Sequence, residues 1–561
     1  MLNNITVADL FVQCLVNEGV THIFGLPGEE NEEFLFSLAK SNIKFITTRH
    51  EQGAAFMANV WGRLTGKAGV CMATLGPGAT NLITGVADAH LDKAPLVAIT
   101  AQGGLNRLHH ESHQTIDIIK MFNAITKWNG TIYNAEVVSE ITRKAFKLAE
   151  REKPGATHIE LSEDVATQIV TGDSLPIERV AVLRSGPNRQ SLRKAAQLIR
   201  QAKRPIILAG NGAIRTRCSN LLSDVAQKFN IPVVSTFMGK GAISDKLEQS
   251  LFTVGLGFYD YPLHAICISD LVISIGYDIA EYSPEKWNSC NCKNIIHIDF
   301  EPAEIYKHYI PTVEINGDIA DTINELFFNT EKGSLQVFDS NWYATIRDSS
   351  EDFNQMFLDE NPGLNAATVI NSIRTCLPDD GLLISDVGSH KLWIARNFRT
   401  YNPNSCIISN GFSSMGIALP GAIAASMVYP KRPIVAVMGD GGFLMNGQEL
   451  ETAKRLNVSF TAVILNDNDF GLISWKQLHS KGNSLYTKIG NPNIETYAAS
   501  FGIQGHRINS IEDLDFMLRQ SVKREGITLL EVPIDASINL KLQEKLKHTF
   551  LEIKYECNKD A

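Results

Sequence analysis

The chain has 561 residues, of which 44% are hydrophobic and 20% are charged. This length exceeds what one hydrophobic core supports, so we expect roughly three or four domains. The formal net charge is −9 and no long Lys/Arg block is present, which excludes the broad basic surface of a nucleic-acid-binding protein.

The amino-terminal stretch, MLNNITVADLFVQCLVNEGV, lacks the basic start and continuous apolar core of a signal peptide. No uninterrupted apolar run approaches the roughly 18 residues that a membrane-spanning helix requires. We therefore expect a cytoplasmic protein without a membrane partner.

Short apolar runs alternate with helical stretches along the whole chain. In chain order they include AGVCMATLG, PLVAITAQ, RPIILAGNG, DLVISIGY, NIIHIDF, PIVAVMGDGG and FTAVILND. Continuous apolar strands separated by helices are typical of parallel sheets that are covered on both faces. The predicted fold class is α/β.

Two stretches rich in charge and turn-forming residues interrupt this alternation, at about 167–190 and 330–365. They divide the chain into three predicted domains, 1–167, 190–330 and 365–540, followed by a polar C-terminal tail at 541–561.

The first candidate site residue is Glu51, in the segment RHEQGAAFMA. It is placed at the predicted start of a helix, where a carboxylate gains a few tenths to about 1 kcal/mol from the helix dipole. On this segment alone, a purely structural first-turn acid is the better interpretation.

The loop RLHHESHQ, residues 107–114, contains three histidines and a glutamate. The eight residues by themselves are compatible with a metal site, a proton relay or a solvated loop.

Two strand ends in the last domain are rich in acidic and glycine residues. The run PIVAVMGDGGF leads from a strand through a glycine-rich turn carrying Asp440, and the next strand ends at NDND, with Asp467 placed 27 residues after Asp440. Neighbouring strand ends meet at one edge of a parallel sheet, and carboxylate oxygens beside a glycine-rich turn suit Mg²⁺ bound to a diphosphate. The alternative is a pair of helix N-caps.

GDGGF followed by LNDND resembles the cofactor motif of thiamine-diphosphate enzymes, in which GDG precedes a pair of asparagines. Asp467 stands where the second asparagine is usual. Further similar segments are FGLPGEEN, RHEQ, GRLTGKAGV, GPGATNL, ITKW, KPGATHIEL, GNGAI, VGSH and QELETAKRL. The similarity runs from about residue 4 to 540 and is closest to acetolactate synthases of the FAD-free catabolic type.

The resemblance implies three doubly wound parallel-sheet domains: pyrimidine-binding (1–167), central (190–330) and diphosphate-binding (365–540). It implies thiamine diphosphate and Mg²⁺ as cofactors. Asp440 and Asp467 would bind the cation by their side chains and Asp469 by its backbone carbonyl. Glu51 would hydrogen-bond the aminopyrimidine ring. The other cofactor-binding positions implied are Gly388, Ser389, His390, Met415, Gly439, Gly441 and Gly442.

Three less specific matches point to the substrate. Gln114 aligns with a glutamine near the substrate, and Phe122 and Lys127 match positions that line the substrate entrance. His109 and His110 look like a histidine pair of the related decarboxylases, and an exposed or gating role is expected for them. Because the Glu51 and Asp440 domains meet across a subunit interface in this family, the resemblance implies at least a homodimer. A tetramer is common in similar enzymes, and a regulatory subunit stays open.

Two departures concern the branch of the family. Anabolic members bind FAD partly through a segment of the type Phe-Asp-Asp-Arg, where this chain has IGYDIAEYSP, so FAD is expected to be absent. Anabolic members also carry a tryptophan that favours 2-oxobutanoate as the acceptor. Lys476 occupies that position here, with Trp475 one residue earlier, and the acceptor therefore stays open.

The activity implied is decarboxylation of pyruvate and transfer of the remaining two-carbon unit to a second 2-oxo acid, giving 2-acetolactate and CO₂. The sequence does not separate branched-chain amino acid synthesis from acetoin metabolism. The alternative is a pyruvate or indolepyruvate decarboxylase that releases an aldehyde. Those enzymes have an acid and a histidine pair that Glu29 and the pair His109–His110 resemble. Those enzymes carry a proton-donating glutamate where this chain has Ile473. A non-catalytic binding protein is a third possibility, against which the joint presence of Glu51, Asp440 and Asp467 argues.

Overall fold

The computed structural model describes residues 5–171, 174–180, 184–256, 259–329 and 335–557. It contains three six-stranded sheets in which every strand pairs in parallel with its neighbour. One sheet lies within each of the three predicted segments, and the α/β class with three parallel-sheet domains is confirmed. Among the residues described, no helix is both long enough and apolar enough to cross a membrane.

The first sheet has the strand order β2-β1-β3-β4-β6-β5. Its strands are β1 His22–Gly25, β2 Lys44–Thr47, β3 Gly69–Ala73, β4 Leu96–Gln102, β5 Trp128–Ile132 and β6 Ala156–Ser162. Its helices are α1 Val7–Asn17, α2 Glu32–Leu38, α3 Glu51–Thr65, α4 Pro77–Leu91, α5 Ile118–Asn123, α6 Val138–Glu150 and α7 Glu163–Ala166. Strands β3, β4 and β6 are buried along their whole length, because helices cover both faces of the sheet.

The second sheet has the order β12-β11-β10-β7-β8-β9. Its strands are β7 Pro205–Ala209, β8 Val233–Ser235, β9 Ser250–Thr253, β10 Leu271–Ile275, β11 Asn294–Asp299 and β12 Val313–Asn316. Its helices are α8 Arg189–Gln201, α9 Asn211–Arg215, α10 Ser219–Phe229, α11 Tyr261–Ile268, α12 Pro284–Trp287 and α13 Ile319–Ile323.

The third sheet has the order β14-β13-β15-β16-β18-β17. Its strands are β13 Leu382–Ser385, β14 Cys406–Ile408, β15 Ile434–Gly439, β16 Phe460–Asn466, β17 Gln504–Arg507 and β18 Ile527–Pro533. The helices of this part of the chain are α14 Asn341–Glu360, α15 Ala366–Cys376, α16 Ser389–Asn397, α17 Ala418–Val428, α18 Asp440–Asn446, α19 Glu449–Arg455, α20 Gly471–Lys481, α21 Ile494–Ser500, α22 Ile511–Ser521 and α23 Ile538–Cys557.

From β13 the chain adds β14 on one side of the sheet and then returns to add β15 on the other side. The carboxyl ends of β13 and β15 are therefore the topological switch point of the third sheet. Ligands of open parallel sheets bind at such crevices. The predicted diphosphate loop follows β13 and the predicted metal turn follows β15, and the two strands are hydrogen-bonded neighbours. The strand order therefore supports the pairing of these two motifs at one site.

Two segments outside the predicted domains differ from expectation. The predicted tail 541–561 is wrong for residues 541–557, which belong to α23, while residues 558–561 lie outside the described chain. Leu542 and Leu546 of α23 are buried in the core of the third sheet. Likewise, the predicted linker around 330–365 contains the long helix α14.

The chain forms two compact units whose boundaries differ from those of the sheets. One unit comprises residues 1–183, 411–431 and 442–459, so that α17 and α19 group with the first sheet. The other comprises 184–410, 432–441 and 460–561 and contains the second and third sheets.

Candidate active site

Glu51 is the first residue of α3 and is buried. The preceding residue, His50, caps the helix, since its ring nitrogen Nδ1 accepts the backbone N–H of Gln52 at 3.1 Å. One carboxylate oxygen of Glu51 accepts a hydrogen bond of 2.9 Å from Nδ2 of Asn81 on α4. A surface acid at a helix start needs no such partner, so the purely structural interpretation of Glu51 loses ground. Asn81 is a site residue that the sequence did not reveal.

The turn between β3 and α4 contacts both Glu51 and Gln114. A Cβ at Gly78 would lie 3.5 Å from Oε1 of Glu51 and 2.9 Å from the side chain of Thr74. A Cβ at Gly76, where φ is +50°, would lie 2.6 Å from the carbonyl oxygen of Gln114. Gln114 itself is held in the left-handed region, with φ +57°. Such backbone strain in a non-glycine residue is enriched at functional sites.

Glu449, on α19, was missed by the sequence interpretation. It is fully buried, and its carboxylate accepts the backbone N–H of Arg49 at 3.0 Å and that of His50 at 3.0 Å. These are the two residues directly before Glu51. A Cβ at Gly53 would lie 2.6 Å from Oε1 of Glu449, so the close approach requires glycine. Burial raises the pKa of Glu449 above its usual range.

The metal turn joins β15 to α18. Asp440 is the first residue of α18 and is buried, and burial raises the pKa of its carboxyl. Its Oδ1 accepts the N–H of Gly441 at 2.8 Å, and its Oδ2 accepts the N–H of Asn468 at 2.9 Å. The second bond ties the turn to the end of β16, because β15 and β16 pair with Gly439 opposite Leu465. The two acidic strand ends are thus brought together as predicted.

Three carboxylates interact at this edge. Burial and the negative charges of Asp440 and Asp469 raise the pKa of Asp467 to about 7. Burial alone would raise the pKa of Asp469, but polar side chains around the carboxyl, Lys488 among them, lower it below its usual value. Lys488 Nζ lies 2.9 Å from Asp469 Oδ2. Within the described ranges, no three His, Cys, Asp or Glu side chains converge as a complete metal site.

The loop after β13 carries the residues that were predicted to contact the diphosphate. Gly388 precedes α16, and Ser389 and His390 begin that helix and are buried. Burial lowers the pKa of His390 to about 4, so the imidazole is neutral. Its Nε2 is buried and has no hydrogen-bond partner among the described residues. A Cβ at Gly439 would lie 3.7 Å from this ring, which places the imidazole against the first glycine of the metal turn.

Met415 lies in the segment before α17 and is half-buried, which a core methionine would not be. The next residue, Gly416, has φ +92°, and its carbonyl accepts a 2.9 Å hydrogen bond from Nδ2 of Asn446. A Cβ at Gly416 would lie 2.6 Å from that nitrogen. The end of α18 therefore fixes the backbone beside Met415.

Three family models match consecutive parts of the chain. Residues 5–121 match the N-terminal TPP binding domain of thiamine pyrophosphate enzymes, residues 192–326 their central domain, and residues 386–532 their C-terminal TPP binding domain. The acetolactate synthase of Bacillus subtilis (strain 168) is 34% identical over 553 residues, which cover 97% of this chain and 96% of that protein. The chain belongs to the thiamine pyrophosphate-dependent acetolactate synthases.

Two further acetolactate synthases illustrate the breadth of this family. The catabolic acetolactate synthase of Raoultella terrigena is 33% identical over 550 residues, which cover 96% of this chain and 97% of that protein. The acetolactate synthase isozyme 1 large subunit of Escherichia coli (strain K12) is 30% identical over 535 residues, covering 95% and 94%.

The predicted substrate residues of this acetolactate synthase family member are placed unequally. Gln114 is exposed beside the Gly76 turn. Phe122, in contrast, has no exposed surface and stacks on His158, with ring centroids 4.0 Å apart. Lys127 is exposed, and its Nζ donates to the backbone carbonyls of Arg151 and Lys153 beyond α6, at 2.9 and 2.6 Å. The predicted entrance role of Phe122 and Lys127 gains no support from these positions.

The histidine loop is anchored at its beginning and exposed at its centre. Arg107 forms a 2.6 Å ion pair with Glu163, at the start of α7. His109 and His110 are both exposed, and their rings meet edge to face with centroids 4.5 Å apart. Glu29, the acid that resembles the decarboxylases, is also exposed.

Helix α20 carries Ile473, Trp475 and Lys476, the positions that the sequence comparison with decarboxylases and anabolic synthases singled out. Ile473 is 48% exposed. Trp475 is buried, and its indole N–H donates to Oε1 of Gln543 on α23 at 2.8 Å. Lys476 is exposed. Trp475 is therefore packed against α23.

Proposed function

We propose that this protein is a thiamine diphosphate- and Mg²⁺-dependent acetolactate synthase that converts two molecules of pyruvate, or pyruvate and another 2-oxo acid, to a 2-acetohydroxy acid and CO₂. Its family membership carries the reaction class. The structural observation that carries the assignment is the buried Glu51 carboxylate, held by Asn81 at the start of α3.

When bound, thiamine diphosphate supplies the electron sink for decarboxylation. The chain's part is to hold a proton at the aminopyrimidine ring nitrogen, and Glu51 is the group proposed for this. Asn81 keeps the carboxylate oriented by donating to one oxygen at 2.9 Å, which leaves the other oxygen for the ring. Met415 is proposed to support the bent cofactor.

The diphosphate is proposed to bind at the switch point of the third sheet. The unpartnered buried Nε2 of His390 supports this, because a buried polar atom without a partner is costly unless a ligand or water satisfies it. Gly388, Ser389 and the glycines Gly439, Gly441 and Gly442 keep the backbone accessible to phosphate oxygens.

Mg²⁺ is proposed to bind the side chains of Asp440 and Asp467 and the backbone carbonyl of Asp469. Burial, together with the negative charges of Asp440 and Asp469, raises the pKa of Asp467, and a divalent cation would relieve the repulsion among these carboxylates, which supports the proposal. Lys488 pairs with Oδ2 of Asp469, while Oδ1 is buried and has no hydrogen-bond partner among the described residues. Mg²⁺ held by two side chains and one carbonyl would also need phosphate and water oxygens as ligands.

Carboligation is preferred over simple decarboxylation because of Ile473. An apolar side chain cannot donate the proton that aldehyde release requires, so Ile473 would leave transfer to a second 2-oxo acid as the favoured outcome. Gln114 is proposed to donate a hydrogen bond to the acceptor carbonyl, where alkoxide charge develops.

We propose that FAD is not bound, on the basis of Glu281. This buried carboxylate accepts the backbone N–H of Asn211 with both oxygens, at 3.1 and 3.0 Å, and that of Asp278 at 3.2 Å. The hydroxyl of Thr236 also donates to it. These groups surround the switch point between β7 and β10, where a dinucleotide phosphate would otherwise meet the backbone N–H groups.

A homodimer is proposed as the smallest active form, with Glu51 of one subunit serving the cofactor held by the metal turn of the other. This rests on the family relationship.

The deciding experiment incubates purified protein with thiamine diphosphate, Mg²⁺ and pyruvate, and separates acetolactate from acetaldehyde. Acetolactate should dominate, and Glu51→Gln should abolish both the product and the cofactor-dependent exchange of the thiazolium C2 proton. Acetaldehyde as the main product would favour the decarboxylase alternative, and unchanged activity in Glu51→Gln would refute the assignment. Flavin absorbance released on denaturation would overturn the absence of FAD.

A further inference from the structure

The turn between β16 and α20 pairs with a segment that follows α20 in the chain, residues 487–491. Its backbone runs antiparallel to that of residues 468–470. The carbonyl of Thr487 accepts the N–H of Phe470 at 2.9 Å, and the carbonyl of Asn468 accepts the N–H of Ile489 at 3.0 Å. An antiparallel bridge joins Asp469 and Lys488. We name residues 487–491 the closing segment.

We propose that Asn491, the last residue of the closing segment, is a positioning residue for the cation site, because it fixes the carboxylate of Asp440. The inference rests on the proposed binding of Mg²⁺ at Asp440. Asn491 Nδ2 lies 2.6 Å from Asp440 Oδ2, 3.1 Å from Asn466 Oδ1 and 3.0 Å from Asn468 Oδ1. One amide group thus ties together the ends of β15 and β16 and the turn between β16 and α20.

The orientation of the Asn491 amide is fixed by its surroundings. If nitrogen and oxygen were exchanged, Oδ1 would face three acceptor oxygens, those of Asp440, Asn466 and Asn468, without a hydrogen atom between them. In the present orientation Oδ1 is buried and has no hydrogen-bond partner among the described residues. In this orientation Nδ2 of Asn491 donates to Asp440, and Oδ1 of Asn491 is left without a donor among those residues.

The two carboxylate oxygens of Asp440 accept different numbers of hydrogen bonds. Oδ2 receives both Asn491 Nδ2 and the backbone N–H of Asn468, at 2.6 and 2.9 Å. Among the described residues, Oδ1 receives only the N–H of Gly441, at 2.8 Å. Each carboxylate oxygen has two lone pairs, so Oδ1 retains the greater capacity to bind a cation.

A neutral amide suits this position better than a cationic side chain. A lysine or arginine would neutralise Asp440 and compete with the divalent cation, whereas an asparagine restrains the carboxylate and leaves its charge available. The lysine of the closing segment, Lys488, is directed to Asp469 Oδ2 instead. Partners that orient a metal-binding carboxylate typically change metal affinity 10- to 100-fold when they are removed.

The test measures Mn²⁺ binding to the full-length protein by electron paramagnetic resonance, with and without thiamine diphosphate. Asn491→Leu keeps the approximate size of the side chain and removes its donor. We expect its Mn²⁺ affinity to fall by about 10- to 100-fold, while the thermal midpoint of the metal-free protein stays close to that of the wild type. A purely structural role would show the opposite pattern.

Two control variants separate the possible results. Asn493→Ala removes the N-cap of α21, whose side chain accepts the N–H of Thr496 at 2.7 Å, and should leave Mn²⁺ affinity within twofold of the wild type. Asp440→Ala should abolish binding. If Asp440→Ala abolishes binding while Asn491→Leu changes it less than twofold, the inference fails and the proposed function stands. If Asp440→Ala has no effect, the proposed cation site fails together with the inference.

Discussion

Asp467 occupies a position where asparagine is usual in the cofactor motif, and its carboxyl has a pKa raised to about 7 by burial and by Asp440 and Asp469. Because the folded-state value exceeds the ordinary one, 3.8, Asp467 favours the folded metal-free protein at low pH. That contribution is lost as the pH rises through about 7. Cation binding requires the deprotonated carboxylate, so the same residue couples metal affinity to pH.

The first prediction follows from this coupling. Below about pH 7, the apparent Mn²⁺ affinity should rise by up to about tenfold per pH unit, because one proton leaves Asp467 for each cation bound. Asp467→Asn should flatten this dependence. Isothermal titration calorimetry in buffers of different ionisation enthalpy would measure the proton release directly. An equally steep pH profile in the asparagine variant would show that another group is responsible.

Ile473 gives the second prediction at the residue scale. Ile473→Glu would place a proton donor on the exposed side of α20, and general acid catalysis contributes at least about 100-fold where it operates. The ratio of acetaldehyde to acetolactate should therefore increase by about tenfold or more. Gas chromatography of both products from one reaction checks it. Ile473→Gln, which has the same length without an acidic proton, should leave the ratio near that of the wild type.

At the scale of elements, the start of α3 depends on α19. Glu449→Ala would leave the backbone N–H groups of Arg49 and His50 without their acceptor, at a cost of about 1–3 kcal/mol in the free energy of unfolding. Urea denaturation measures the cost. Faster hydrogen exchange at these two amides would localise the change to the residues before Glu51.

Two variants test whether this effect is specific. Gly53→Ala would normally stabilise a helix by about 1 kcal/mol, but here its Cβ would lie 2.6 Å from Glu449 Oε1, so a net loss of stability is expected. Glu451 lies on α19, as Glu449 does, and Glu451→Ala removes only an exposed ion pair with Arg455, worth about 0.3–0.5 kcal/mol. A larger effect at Glu451 than at Glu449 would contradict the proposed anchoring of α3.

The sequence identified elements whose pattern is local and missed contacts that the fold creates. Asp440 and Asp467 were predicted to lie close together because each follows the end of a strand, and neighbouring strands of a parallel sheet end at the same edge. Glu449 lies in a helix with charged neighbours, which predicts a solvated face, and only the packing of α19 against α3 shows that it is buried. Asn491 is 51 residues from Asp440 in an irregular segment, so no periodicity relates the two.

Helix α23 is a different case. Its sequence is mostly polar and was interpreted as a tail, although Leu542 and Leu546, spaced four apart, are a local signal for an amphipathic helix. The structure buries both leucines in the core of the third sheet. Phe122 is the reverse case, because resemblance suggested a substrate contact and the structure places the ring in the core.

For the whole molecule, the proposed homodimer predicts complementation between inactive variants. Glu51→Gln and Asp440→Ala should each be inactive alone. After random subunit exchange, half of the dimers are mixed and each mixed dimer has one intact site, so activity should recover to about a quarter of the wild-type value. A mixture that stays inactive, although mass spectrometry detects mixed dimers, would mean that both residues act within one subunit.

The contacts of the Glu281 carboxylate predict how the cellular level of the protein responds to riboflavin supply. If FAD filled the crevice of the central domain, the bound FAD would stabilise the folded protein, and the amount of folded protein in the cell would depend on the supply of riboflavin. Here a side chain of the same polypeptide satisfies the backbone N–H of Asn211 and is present as soon as the chain is translated. The protein should therefore accumulate to the same level in riboflavin-starved and riboflavin-fed cells.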